Sequence, residues 1–176
     1  FTVTATDANG CTAVQTVTVN AFGCNLQASI SFVNITCQGA ANGTATITPT
    51  GANGPFTYLW SNNAATATVT GLAPGTYTAT VTDAANCEVV LSTSIVEPPA
   101  LLPNATSTGV TGVGQSDGTA TASPTGGTAP YTFLWDNNST SATIKNLAPG
   151  SYTVVVTDAN TCTSSQTVTV NPFNCS

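Results

Sequence analysis

LAPGSYTVVVTDANTC, residues 147–162, decides how the chain is read. The string occurs earlier as residues 72–87, LAPGTYTATVTDAANC, and its second half opens the chain as residues 1–11, FTVTATDANGC. A segment that returns at a fixed spacing marks a repeat architecture. Tyr77 pairs with Tyr152 at a spacing of 75, and Phe1 with Tyr77 at 76. Aligned without a gap, residues 42–87 and 117–162 are identical at 26 of 46 positions, too many for chance. The chain is therefore read as two whole modules of about 75 residues, 24–98 and 99–172. Residues 1–23 read as the last two strands of a preceding module, and 173–176 as the start of a next one. Residues 1–25 correspond to 152–176, which reads as a window on a longer tandem array.

Local patterning predicts strands throughout. Residues 1–6 alternate strictly, with Phe1, Val3 and Ala5 on one face and threonines on the other. In the first whole module strands are expected at 26–35, 44–50, 55–60, 66–72, 76–82 and 88–96. In the second they are expected at 104–108, 119–125, 130–135, 141–147, 151–157 and 163–170. Asp83 to Asn86 is a turn, because Asp and Asn bond their own backbone. Glu97-Pro98-Pro99 is a stiff linker. No segment has helical periodicity. Many short strands between turn signals predict an all-β chain of tandem immunoglobulin-like or fibronectin-III-like β-sandwiches.

Composition narrows the function. One Lys, seven acidic residues and no His give a net charge of −6. Charged residues are 5% of the chain, against roughly 25% in ordinary soluble domains. Thr supplies about a fifth of the residues and favours strands. A single cation cannot neutralise a phosphate backbone, so no nucleic-acid partner is expected. No apolar run approaches the length of a membrane span. Without His, a Ser-His or Cys-His nucleophile cannot be assembled, and Lys145 is the only amine side chain. No catalytic residue, cofactor or metal is expected.

At residues 117–162, DGTATASPTGGTAPYTFLWDNNSTSATIKNLAPGSYTVVVTDANTC, the chain resembles the SprB-type repeat of giant cell-surface proteins in gliding and related Bacteroidota. The strings (N/D)GTAT, P(F/Y)T(Y/F)LW and LAPG(T/S)YT…VTDA…C carry the resemblance through both modules. It implies a secreted, surface-displayed immunoglobulin-like array with a role in adhesion or filament structure, and no catalytic residues. The second module departs from the first in having Gly112 where the first has Cys37.

Six cysteines, Cys11, Cys24, Cys37, Cys87, Cys162 and Cys175, point to disulfides and an oxidising, extracellular compartment. The turn cysteine recurs as Cys11, Cys87 and Cys162, and each has one companion. The simplest pairing is Cys11–Cys24, Cys37–Cys87 and Cys162–Cys175. A straight strand from Cys162 puts Val170 about 26 Å away, so the last bridge needs a linker that doubles back. Otherwise Cys24 and Cys175 reach another module or chain. With no C-x-x-C and no His, a metal reading is weak.

Two side-chain groups remain to be weighed. Asp7, Asp83 and Asp158 recur beside asparagines; they cap turns, or they contribute to calcium sites between modules. Trp60 and Trp135, with the aromatics before them, are core residues of a sandwich or platforms for stacking sugars. The expected partners are other copies of the chain or neighbouring repeats, with surface glycans as the alternative.

Overall fold

The structure is a computed structural model that describes residues 2–6, 8, 12–16 and 23–174. The described residues form strands and turns, without a helix. β1 (Thr2–Thr6) and β2 (Thr12–Thr16) make an antiparallel hairpin whose residues are all exposed. Then come β3 (Gln27–Val33), β4 (Gly43–Thr50), β5 (Thr57–Trp60), β6 (Thr68–Leu72), β7 (Gly75–Thr82) and β8 (Glu88–Ile95). The plan repeats as β9 (Ala105–Thr108), β10 (Gly118–Ala122), β11 (Thr132–Trp135), β12 (Thr143–Leu147), β13 (Gly150–Thr157) and β14 (Thr163–Val170).

Each set of six strands is a sandwich of two three-stranded antiparallel sheets. The first has the orders β3-β4-β6 and β5-β7-β8, the second β9-β10-β12 and β11-β13-β14. Successive strands pair as hairpins at β3–β4 and β7–β8, and the chain changes sheet at each step between. This is the immunoglobulin-type arrangement, reduced to six strands.

Within each sandwich, alternation sends one face of the strands inward. Ala45, Ile47, Val69, Leu72, Ala79, Val81 and Ile95 close around Trp60 in the first core. Ala120, Ala122, Ile144, Leu147, Val154, Val156 and Val170 do so around Trp135 in the second. Phe32 shares the inward parity of Ile30 but is 49% exposed, and Ile35 beyond the strand end enters the core instead. In the hairpin, Val3 is 61% exposed, whereas Val154, its counterpart 151 residues later, is fully buried.

Two recurring strings and the outward threonines explain the fit. The glycine of (N/D)GTAT admits the opposite sheet, since a Cβ on Gly43 would sit 2.6 Å from Ile95 Cγ2, and one on Gly118 would strike Val170. The tyrosine of LAPG(T/S)YT ties the corner at the foot of each sandwich, with Tyr77 Oη donating to the Ala73 carbonyl at 3.1 Å and Tyr152 Oη to that of Ala148 at 3.1 Å. The outward threonines pair across strands, as in Thr46 with Thr68 at 3.0 Å and Thr153 with Thr167 at 2.9 Å. Hydroxyl pairs thus form a polar outer surface almost without charge.

Candidate functional site

Strand directions give each sandwich a top and a bottom. At the top of the first lie the start of β3, the β4–β5 loop and the β7–β8 turn; at the bottom lie the β3–β4 loop and the end of β8. The bottom is closed by Ile35 N–H donating to the Val96 carbonyl at 3.0 Å and by Gly39 N–H donating to Glu97 Oε2 at 2.7 Å.

Cys24 bonds Cys87 at the top of the first sandwich, tying the chain entering β3 to the β7–β8 turn. In the chain-entropy account, closing its 63-residue separation is worth about 4 kcal/mol. That is large for a core of this size. Cys37, in the bottom loop, bonds Cys162 in the top turn of the second sandwich, with Cα atoms 5.6 Å apart. Asn160 Nδ2 donates to the Thr36 carbonyl at 3.2 Å across the same junction. Cys162 Sγ lies 3.4 Å from that oxygen, a packing contact, since a disulfide sulfur has no proton to donate.

These bonds correct the simple pairing. Cys37–Cys87 is not formed, because the seven-residue strand β3 and its flanks separate the bottom loop from the top turn, and seven extended residues span roughly 23 Å. Cys11–Cys24 is not formed, because Cys24 is taken by Cys87. Cys162–Cys175 is not formed, because Cys162 is taken by Cys37. Cys11 and Cys175 themselves lie outside the described residues.

The recurrent aspartates cap turns. Asp83 Oδ1 accepts from Ala85 N–H at 2.8 Å and Cys87 N–H at 2.9 Å. Asp158 Oδ1 accepts from Asn160 N–H and Cys162 N–H, both at 2.9 Å, and its Oδ2 accepts from Thr128 N–H at 2.9 Å. Each carboxylate therefore shapes the turn that presents a cysteine. Asp7 and Asn9 lie outside the described residues. Among the described residues no three metal-ligating side chains gather at one place.

Trp60 and Trp135 are each 1% exposed. Their indole N–H groups donate to the carbonyls of Thr66 at 2.8 Å and Ser141 at 2.9 Å. Buried on both faces and satisfied, neither ring is available to stack on a sugar. Tyr58 and Phe56 pack against the first core, and Tyr131 and Phe133 against the second.

Two concavities stand out among the described residues. One, of about 580 Å³, lies at the top of the first sandwich among Asn25, Ala52, Asn53, Asp83 and Ala85. The other, of about 460 Å³, lies in the junction beside Gln38, Leu101 and Thr161. The only carboxylate among these linings, Asp83, is occupied by its own turn. In the bottom loop of the second sandwich, the Thr111 hydroxyl donates to Asp117 Oδ2 and the Thr111 N–H donates to Oδ1 at 3.0 Å. These bonds, the hydroxyl's first, hold the Asp117 carboxyl below its ordinary value. Asn42 plays the same part in the first sandwich, accepting from Thr36 N–H at 3.2 Å.

The SprB repeat family matches residues 29–65 and 104–140. Each sandwich thus holds one stretch that matches the SprB repeat. Each SprB match runs from the first strand of a sandwich through its tryptophan and the following turn, while the LAPG(T/S)YT…C half lies beyond the matched residues. No curated protein sequence matches the chain significantly. Among solved structures, a 282-residue C-terminal fragment of intimin, in complex with the intimin-binding domain of the translocated intimin receptor, is 17% identical with a TM-score of 0.43. That likeness covers 82% of this chain and 63% of the fragment. A Dscam structure is 11% identical over 94% of this chain and 52% of its own, with a TM-score of 0.34. An amphioxus IgVJ-C2 molecule is 15% identical over 82% and 96%, with a TM-score of 0.30. The chain thus spans less than two thirds of the first two, and likenesses this loose carry no argument about function. No helix among the described residues is long and apolar enough to cross a membrane.

Proposed function

We propose that the chain is a non-enzymatic structural and adhesive segment of a long, secreted cell-surface repeat protein, and that it forms or decorates an extracellular filament. The junction carries this reading: two sandwiches, each holding a match to the SprB repeat, are bonded head to tail, an arrangement suited to reach and stiffness. Disulfides favour an oxidising exterior. The hydroxyl-covered, nearly uncharged surface suits an exposed rod and leaves strand edges free of charges that discourage association. The hairpin of β1 and β2 exposes Val3 on a face that is core in the complete sandwiches, which supports packing against a further sheet from a neighbouring repeat or copy.

The alternative, a glycan-binding or spacer module of a secreted enzyme, called for an exposed tryptophan, and the burial of both weighs against it. The test is antibody labelling of intact cells against this segment, with electron microscopy of sheared material. Surface label and rods with an axial repeat of one or two sandwiches support the proposal. Label confined to the cell interior removes it.

A further inference from the structure

We propose that β3, the Cys37–Cys162 bond and β14 form one covalent strap that carries tension along the chain and leaves the rest of both sandwiches outside the force path. The proposal rests on the reading above, in which the segment is pulled between a surface and what it holds.

The route follows from connectivity. Cys24 stands at the top of the first sandwich, β3 runs down its side, and Cys37 follows at the bottom. The disulfide crosses to Cys162 at the top of the second sandwich, and β14 runs down to Val170 at its foot. A pull on the two ends takes the shortest covalent route, which among the bonds of the described residues is this one. Residues 38–161 hang from it as a closed loop, because the bond joins residues 125 apart in sequence. The Glu97-Pro98-Pro99 linker lies inside the loop and cannot be drawn out. β5, β7 and β8, which hold Trp60, lie inside it too, as do β10 to β13 around Trp135.

The strap has little slack. β3 and β14 are already extended, and strand geometry leaves only a few per cent of length to gain. Each is held along its length, β3 by seven register pairs with β4 and β14 by eight with β13. Cys24–Cys87 is a second closure. With the junction bond absent, it still keeps the 63-residue span from Cys24 to Cys87 closed.

The test is single-molecule extension of the 176-residue chain held by its two ends. The disulfide-bonded chain is expected to show no lengthening step near 400 Å. A dithiol in excess reduces each disulfide to two thiols and closes to its own cyclic disulfide. The same pull should then release the 125-residue loop, about 410–450 Å at ~3.3–3.6 Å per residue. The Cys37→Ser/Cys162→Ser variant, unreduced, should lengthen by an intermediate amount. Its route exchanges the 13 steps from 24 to 37 for the 75 from 87 to 162, a gain of 62 steps or about 205–225 Å. A release of more than 400 Å from the unreduced chain, or no change on reduction, overturns the strap. Should the variant not fold, the comparison with and without dithiol still decides. A strap found in a chain that does not label at the cell surface would leave the mechanics standing and remove the surface reading instead.

Discussion

Cys37, below the first sandwich, and Cys162, above the second, are bonded with Cα atoms 5.6 Å apart, so the two sandwiches meet at a covalent junction as well as through a linker. Removing the bond frees the linker and restores chain entropy to the unfolded state. The Cys37→Ser/Cys162→Ser variant should lose about 2–4 kcal/mol of stability, the usual worth of a native disulfide. Its denaturant unfolding should split into two transitions where the parent shows coupled unfolding.

Both tryptophans are enclosed. Emission of the native chain should be blue-shifted and resist acrylamide, and oligosaccharides should leave it unchanged. Trp135→Ala should cost about 3–5 kcal/mol by opening a cavity in the second core. Emission at long wavelength, readily quenched in the folded chain, would contradict the burial described above.

Asp117 makes the second sandwich sensitive to acid. Its folded carboxyl is held below the ordinary value of about 3.9 by Thr111. Its contribution to stability is therefore present above that value and lost as pH falls through the folded value. Melting temperature followed below about pH 4 should show this loss. Asp117→Asn, which copies Asn42 of the first sandwich, should flatten that part of the profile. An unchanged profile in the variant would remove the assignment.

Thr93 is a defect with a ready repair. Its hydroxyl is buried without a hydrogen-bond partner, and Val168 stands at the matching place in the second sandwich. Thr93→Val keeps the shape and removes an unpaired polar group, so the first sandwich should gain about 1 kcal/mol. A loss of stability would mean that the hydroxyl has a partner, such as a buried water.

Much of the fold is legible in the sequence because its signals are local. The 75-residue spacing, the alternation of Thr with Val and Ala, and the Asp-headed turns each specify structure within a few residues. Tyr77 and Gly43 sit in recurring strings because each closes a contact that both sandwiches need. The cysteine pairing is a relation between poles, which requires knowing which way every strand runs. Pairing by proximity to the repeat put Cys37 with Cys87, at opposite ends of β3. One signal pointed to the junction all the same. Residues 99–172 contain a single cysteine, with Pro99 and Gly112 at the positions of Cys24 and Cys37. Cys162 therefore had no partner within its own repeat. The aromatic alternation was ambiguous for a different reason, since a period of two identifies a shared face without saying whether that face is core or solvent.

The most direct measurement is cleavage of the oxidised chain by a glutamate-specific protease, read on a denaturing gel without reductant. The chain has only Glu88 and Glu97, and Pro98 blocks cleavage after Glu97, so the products are 1–88 and 89–176. With Cys11 and Cys175 replaced by serine, the Cys37–Cys162 bond predicts that 1–88 and 89–176 stay joined until reductant is added, and that they separate without it when Cys37 and Cys162 are replaced as well. Separation of the two fragments from the unreduced parent chain would contradict the junction and the strap built on it.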